Sequence, residues 1–478
     1  MTAVTQGSPE ITAATGAPEM KGSESGMKPG VSGREGCMPV GLLAGRHRAA
    51  TLGTVLLTTL LAFDEMSVGT VMPVTARDLG GLSLYAWGFS ATLIASLLAT
   101  VVAGGWADAR GPARPLLSGL AAFVAGLFVA GLAPSMGWFV AGRAVQGLGA
   151  GAAIVSMYVV VARAYPEELR PKVFGVLAAA WVVPSLLGPA VAGLVAEHLS
   201  WRAVFLGLVP LVIPALVMLL PALRKSGGGS GQMERSRSLA AVAVAAGAAV
   251  LLYGLDHRSV AAWPAGVVAG LAGLALGLPR LLPRGTLRLR RGLPAAVAGR
   301  ALFSIGFFGT EAFIPLGLTS LHGFTPTEAG LVLTVGALGW SSASWVQGRS
   351  NRSRTFFVVV GAGLLAAGVT GIALTLSYSG PVAGWAAGPF WVVAGAGMGS
   401  GLTSLGVLVM NESDPAEQGV NTAAQGISDT LGSSLAIGVA GAIVTGTAHL
   451  STGLGIAGAL IALIAIAGVF AALRVETR

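Results

Sequence analysis

Residues 85–114 read YAWGFSATLIASLLATVVAGGWADARGPAR. From 85 to 107 no side chain is charged, and then Asp108, Arg110 and Arg114 arrive together. At 1.5 Å of rise per residue, a helix over 85–107 is about 34 Å long, enough to cross a hydrocarbon layer of about 30 Å. The apolar residues run continuously instead of alternating, so the stretch is not a barrel strand.

Working outward, the same pattern recurs along the chain. Apolar runs fall near 49–76, 85–107, 114–134, 137–162, 172–196, 202–223, 238–255, 260–279, 294–320, 327–347, 355–377, 386–410, 418–445 and 449–473. Fourteen membrane-crossing helices are therefore expected, in an all-α integral membrane protein. Composition agrees: 54% of residues are hydrophobic, 72 are Gly, and only 10% are charged, against roughly 25% in ordinary globular proteins. That excludes most water-soluble folds. The net charge of +9 does not indicate nucleic acid, because the basic residues are shared among the loops instead of forming one surface or arm. Residues 1–45 are polar and rich in Gly, Ser, Thr, Pro and Glu, without an apolar run, and read as a disordered cytoplasmic tail with no cleavable signal. Its Cys37 is the single cysteine, which excludes an intrachain disulfide and a cysteine-based metal site.

Charge sets the orientation. With the N-terminus inside, the cytoplasmic segments hold Arg46 and Arg48, Arg110 and Arg114, Arg163, Arg170 and Lys172, Arg224 and Lys225, Arg235 and Arg237, Arg280 through Arg291, Arg349 through Arg354, and Arg474 and Arg478. Arg77, Arg202 and Arg258 fall outside. The excess of basic residues on one side places both termini in the cytoplasm, and the expected location is the plasma membrane. Removing two adjacent spans would preserve this parity, so charge supports an even number better than it supports fourteen. Internal repetition adds a further level. Trp106-Ala-Asp108-Ala-Arg110 after the second run is echoed by Trp345-Val-Gln347-Gly-Arg349 after the tenth, and Pro166-Glu-Glu168 more weakly by Pro415-Ala-Glu417. Both echoes match runs one to six with runs nine to fourteen. The expected organisation is a six-helix bundle over 46–225, two inserted helices with their linkers over 226–291, and a second six-helix bundle over 292–478.

Three local patterns converge on one family. Gly104-Gly-Trp-Ala-Asp108-Ala-Arg110-Gly111-Pro-Ala-Arg114 resembles the first-loop signature of the major facilitator superfamily, departing from it at Ala109 and at Pro112-Ala113. Arg143-Ala-Val-Gln146-Gly147-Leu-Gly149 resembles that superfamily's fourth-helix motif. Pro184-Ser-Leu-Leu-Gly188-Pro189-Ala-Val-Ala-Gly193 is similar to its fifth-helix antiporter motif, and Trp201-Arg202 with Phe205 resembles the entry to the sixth helix in drug exporters. Fourteen runs, Arg300, Phe313-Ile-Pro315-Leu and Thr325-Pro-Thr-Glu-Ala-Gly330 point to the fourteen-helix drug:proton antiporter branch. The resemblance covers about residues 46 to 475. It implies the major facilitator fold, a cytoplasmic gate at the first loop, proton exchange influenced by Arg143 facing the first helix, and a fifth helix tied to export direction and to sealing against proton leak.

The residues carry chemistry of their own. Asp108 lies among basic neighbours at a helix end, where it can pair with Arg110 or Arg114 while two helices are close and so latch one conformation; alone, it reads equally as a solvated loop charge. Arg143, about 9 Å inside the fourth run, is costly there unless it finds an internal partner or snorkels. Pro184 and Pro189 each remove a backbone donor, while Gly188 and Gly193 admit a neighbouring helix, so a bent, tightly packed helix is expected. Asp64 and Glu65 sit near the middle of the first run, where a bare carboxylate is costly unless protonated or paired. Adjacent residues differ by about 100° around a helix, so one of the two points into the cavity, and the sequence leaves open which. Glu311 is the corresponding acid of the ninth run. Asp429, beside Ser428 and Thr430, reads either as a further coupling acid or as a polar interhelical contact. Arg300 is expected to snorkel to the cytoplasmic face.

No catalytic set of side chains, phosphate loop or spaced metal ligands appears, and the five His are scattered, so an enzyme and ATP-driven transport by this chain alone are excluded. Gly395-Ala-Gly397-Met-Gly399 lies inside an apolar run and reads as a helix-packing stretch. The expected function is a monomeric, cofactor-free, proton-coupled exporter of hydrophobic or cationic small molecules, surrounded by membrane lipid and working by alternating access. The alternatives are a lipid or metabolite carrier on the same scaffold and a membrane sensor that no longer transports.

Overall fold

In the computed structural model, the described residues are 45–225, 227, 231, 234–257, 262–377, 384–414 and 417–475. The expected tail, Cys37 and the Pro415-Ala416 part of the weaker echo lie outside them. Fourteen helical spans are long and apolar enough to cross a membrane: α1 (His47–Asp78), α2 (Leu82–Arg110), α3 (Ala113–Gly131), α4 (Met136–Ala164), α5 (Lys172–His198), α6 (Trp201–Arg224), α7 (Arg235–Asp256), α8 (Trp263–Leu281), α9 (Leu293–Leu321), α10 (Pro326–Arg349), α11 (Arg354–Ser377), α12 (Ala387–Glu412), α13 (Gln418–Thr445) and α14 (Leu450–Ala472). No strand occurs among the described residues.

Local chemistry sets where spans start, stop and break. α2 ends at Gly111, whose φ of +86° suits a residue without Cβ and lets its N–H close on the Ala107 carbonyl. α10 begins with a capping box between Thr325 and Glu328 and with Pro326 in the first turn, where its missing donor costs nothing. α5 is two helices, Arg170–Ala179 and Val182–His198. Pro184 offers no N–H to the Ala180 carbonyl, and the break falls there. α9 is likewise divided into Leu293–Glu311 and Ile314–Leu321, because Pro315 cannot donate to the carbonyl of Glu311.

Packing rests on close backbone approach, as it must where lipid supplies no hydrophobic drive between helices. A Cβ on Gly147 of α4 would sit 2.2 Å from the Thr92 carbonyl oxygen of α2, and one on Gly151 2.3 Å from that of Ser96. The same pairing recurs between α12 and α10, where Cβ atoms on Gly395 and Gly399 would meet the carbonyl oxygens of Gly336 at 2.1 Å and Trp340 at 2.2 Å. The glycine run of α12 is thus a helix-packing surface. α3 packs on α4 as α11 packs on α12, α5 packs on α10, and α2 packs on α13. α7 and α8 lie against each other, and α7 also covers α2 and α13 through Ala241, Val244 and Leu252, which meet Ile94, Leu97, Ile427 and Leu431.

Candidate functional site

The middle of α1 meets α4 at a buried polar cluster. Arg143 and Gln146, three residues apart on one face of α4, both turn toward α1. The Arg143 guanidinium donates to Asp64 Oδ2 at 3.2 Å, to Gln146 Oε1 at 2.7 Å and to the Gly88 carbonyl of α2 at 3.2 Å. Gln146 Nε2 donates to Asp64 Oδ1 at 2.6 Å. Asp64, Arg143 and Gln146 are 6%, 3% and 0% exposed, and the Phe205 ring lies 6.0 Å from the guanidinium carbon. Both carboxylate oxygens are taken and the two charges offset each other, which is the condition for burying an ion pair without prohibitive desolvation cost.

Glu65 occupies the next position and a different direction. It is exposed although it sits at mid-span, and it takes no part in the Asp64–Arg143–Gln146 network. The two adjacent acids thus differ: Asp64 is held in the α4 network, and Glu65 lies outside it. Glu311 is part-exposed at the end of the first segment of α9 and lies within electrostatic reach of Glu65. Neither acid makes an ion pair among the described residues. The break beyond Glu311 is held by Tyr85, whose hydroxyl donates to the Ala312 carbonyl at 2.7 Å.

Asp429 and Arg300 form a second, part-buried ion pair. Arg300 Nε donates to both carboxylate oxygens at 3.0 Å, Nη2 adds a short contact to Asp429 Oδ2, and Ser304 Oγ donates to Oδ1 at 3.2 Å. This corrects the expectation that Arg300 snorkels to the membrane face. Asp429 and Ser304 give the guanidinium internal partners, and such a fork is better solvated by a carboxylate than by a long reach to water.

The two membrane faces differ. On the face away from the basic loops, Glu197 of α5 accepts from Thr327 Oγ1 at 2.6 Å and from Thr327 N at 3.3 Å, at the start of α10. Arg77 of α1 donates to Ser320 at 2.9 Å and Thr319 at 3.3 Å of α9, and Ser90 of α2 to the Ser434 carbonyl of α13 at 3.0 Å. Cβ atoms on Gly193 and Gly330 would lie 2.7 Å from the Pro326 oxygen and 2.4 Å from the Pro189 oxygen, so the helix-5 motif meets α10 backbone to backbone. The buried hydroxyls of Ser67, Thr70 and Thr334 have no hydrogen-bond partner among the described residues at this closed seam. Toward the basic face, by contrast, side chains at Gly175 of α5 and at Gly419 and Gly426 of α13 would project into open space.

The expected latch at the first loop is not formed in this conformation. Asp108, Arg110 and Arg114 are exposed, and no ion pair joins Asp108 to either arginine among the described residues. The Asp108 carbonyl instead accepts from Gly231 N at 3.1 Å. Gly104 makes only an ordinary approach to Val155 at 3.6 Å. The sequence reading missed Arg77, Tyr85 and Glu197. Each looks like an unremarkable loop or helix-end residue, and only the pairing of distant spans gives it a partner. Among the described residues no group of three or more His, Cys, Asp or Glu is arranged to hold a metal ion.

An all-helical bundle of membrane-length spans, joined across one face by polar and backbone contacts and carrying carboxyls at mid-depth, has the architecture of a membrane transporter, not of an enzyme. The family model for the Major Facilitator Superfamily matches residues 54–437, and the chain belongs to that superfamily. Multidrug-efflux transporters are among its relatives. The chain is 30% identical over 408 residues to a probable multidrug-efflux transporter of Mycobacterium tuberculosis, covering 80% of this chain and 85% of that protein. It is 23% identical to multidrug resistance protein 3 of Bacillus subtilis, covering 82% and 79%. Among solved structures, a POT family transporter in complex with a thioalcohol-conjugated peptide superimposes with a TM-score of 0.66 at 14% identity, covering 90% of this chain and 97% of that one. That likeness concerns the fold alone.

Proposed function

We propose that the protein is a proton-coupled exporter of hydrophobic or cationic small molecules, working by alternating access in the plasma membrane as a monomer with both termini in the cytoplasm. One observation carries the reading. Asp64 is paired with Arg143 and hydrogen-bonded by Gln146, whereas Glu65 of α1 and Glu311 of α9 make no ion pair among the described residues. Two such acids at membrane depth are stable only when protonated or bridged by a cation, and exchange between those states is antiport. α1–α6 and α9–α14 act as two bundles, over 46–225 and 292–478, with the insert of 226–291 riding between them. The backbone contacts at Pro189, Gly193, Pro326 and Gly330 seal the outer face against proton leak. Arg143 and Gln146 position Asp64 beside Glu65, Asp429 with Arg300 braces the second bundle, and Asp108 with Arg110 and Arg114 latches the cytoplasmic face when the bundles rock. The multidrug-efflux relatives support the substrate class.

The test is drug-induced proton movement in everted vesicles carrying the full chain. Adding a transported cationic dye is expected to collapse an imposed acid-inside gradient with wild type, and not with Glu65→Gln or Glu311→Gln. Undiminished dye movement in both variants, with no dissipation of the gradient by wild type, would overturn the reading.

A further inference from the structure

The turn joining α8 to α9 carries a charge distribution that transport does not use. No Asp or Glu occurs from residue 257 to 310, yet Arg280, Arg284, Arg288, Arg290 and Arg291 all fall within this stretch, and all five are exposed. None makes an ion pair among the described residues. The nearby acid Glu412, at the end of α12, is engaged by the backbone N–H of Leu293, and Asp414 beside it is exposed.

The turn is a built frame and not a slack linker. The Gly285 carbonyl accepts from Arg288 N at 3.0 Å and Arg290 N at 3.2 Å, Leu289 N closes on Thr286 O at 3.1 Å, and Gly292 N bonds the Arg474 carbonyl at 3.3 Å. Thr286 is buried and its hydroxyl donates to the Pro283 carbonyl at 2.8 Å. Leu289 has φ +49°, the one non-glycine residue with positive φ among the described residues. A branched L-residue adopts that conformation at a cost, and it persists only where surrounding bonds over-determine it. What the frame holds outward is guanidinium groups and Leu287, which is 66% exposed. The turn directly connects two membrane spans, so this cluster lies at the level where lipid headgroups meet water.

We infer that this turn is a binding site for an anionic phospholipid. Guanidinium forks match phosphate oxygens bidentately, clustered basic residues next to a span are attracted to anionic headgroups, and Leu287 enters the adjoining acyl region. A free phosphate would satisfy the arginines but leave the leucine in water, which favours the lipid. The site also ties the insert to α9, the span that carries Arg300 and Glu311.

The experiment measures retention of lipid by the purified full chain in detergent, using dioleoylphosphatidylglycerol, dioleoylphosphatidylcholine and inorganic phosphate as probes. Wild type is expected to bind phosphatidylglycerol at least tenfold more tightly than phosphatidylcholine. The variant with Arg284, Arg288, Arg290 and Arg291 all changed to Gln is expected to lose at least tenfold of that affinity while keeping its elution profile. If that variant does not fold, Arg288→Glu with Arg290→Glu replaces it, with the same loss expected. A control variant with Arg349, Arg352 and Arg354 changed to Gln should bind like wild type. Unchanged phosphatidylglycerol binding in the turn variant, an equal loss in the control, or full displacement of lipid by equimolar inorganic phosphate would each overturn the proposal.

Discussion

Removing Arg143 should destabilise the protein more than removing Arg143 and Asp64 together. The guanidinium makes three hydrogen bonds, to Asp64, Gln146 and the Gly88 carbonyl. In Arg143→Leu, Asp64 keeps only Gln146 Nε2 and becomes a buried charge without a counterion. Breaking one side of such a pair costs about 3–5 kcal/mol. Asp64→Leu strands Arg143 in the same way and should cost a similar amount. The double variant leaves no buried charge. The Gly88 carbonyl still accepts from Thr92 Oγ1 at 3.4 Å, so the main remaining penalty is an unpartnered Gln146 amide, about 1–3 kcal/mol. The double variant should therefore lose no more than either single one, a coupling of about 2 kcal/mol or more. Equilibrium unfolding in mixed micelles of the four proteins reads this directly. Losses that add to within about 0.5 kcal/mol would show that the cluster is not a unit and that the reasoning is wrong.

Gly330→Ala places a Cβ 2.4 Å from the Pro189 carbonyl, an overpacking that should cost the closed outer face about 1–3 kcal/mol. It should raise labelling of a Ser67→Cys reporter, in a background with Cys37→Ala, by a membrane-impermeant thiol reagent applied from that face; unchanged labelling would contradict the seal. Without the glycine change, Ser67→Cys and Thr334→Cys should label more slowly than an exposed reporter at Leu199 and faster during turnover, because they are dry only while the seam is shut. Tyr85→Phe removes the donor to the Ala312 carbonyl and should lower unfolding stability by about 0.5–1.5 kcal/mol; no measurable loss would mean that another group satisfies that carbonyl. Arg300→Lys keeps the charge but not the fork to Asp429, so it should be clearly less stable than wild type and more stable than Arg300→Leu in the same assay.

Much of the fold is legible without coordinates. A run such as residues 85–107 has one stable form in lipid, because every backbone N–H and C=O must be satisfied within the segment. Span number and approximate limits therefore follow from composition alone. The breaks in α5 and α9 are nearly legible too, since Pro184 and Pro315 each delete a donor wherever the helix packs. Arg143 and Asp64 could be singled out as charges needing partners, because burial makes an unpaired charge expensive.

Partners and state are another matter. Asp64 and Glu65 are chemically alike and adjacent in the chain, and it is the rotation of α1 against α4 that gives one an ion pair and leaves the other exposed. Arg300 could have reached for water as readily as for Asp429 until α9 and α13 were packed together. The contacts of Glu197 with Thr327 and of Arg77 with Ser320 join residues more than a hundred positions apart, and no local pattern encodes them. The first-loop latch depends in the same way on how helix ends meet, and in this structure Asp108 makes no ion pair with Arg110 or Arg114 among the described residues. The sequence by itself determined what must lie in the membrane and which charges needed company. Tertiary structure alone decided which helix faces meet, because many packings of fourteen apolar helices bury them equally well and only specific backbone approaches and polar contacts distinguish one from another.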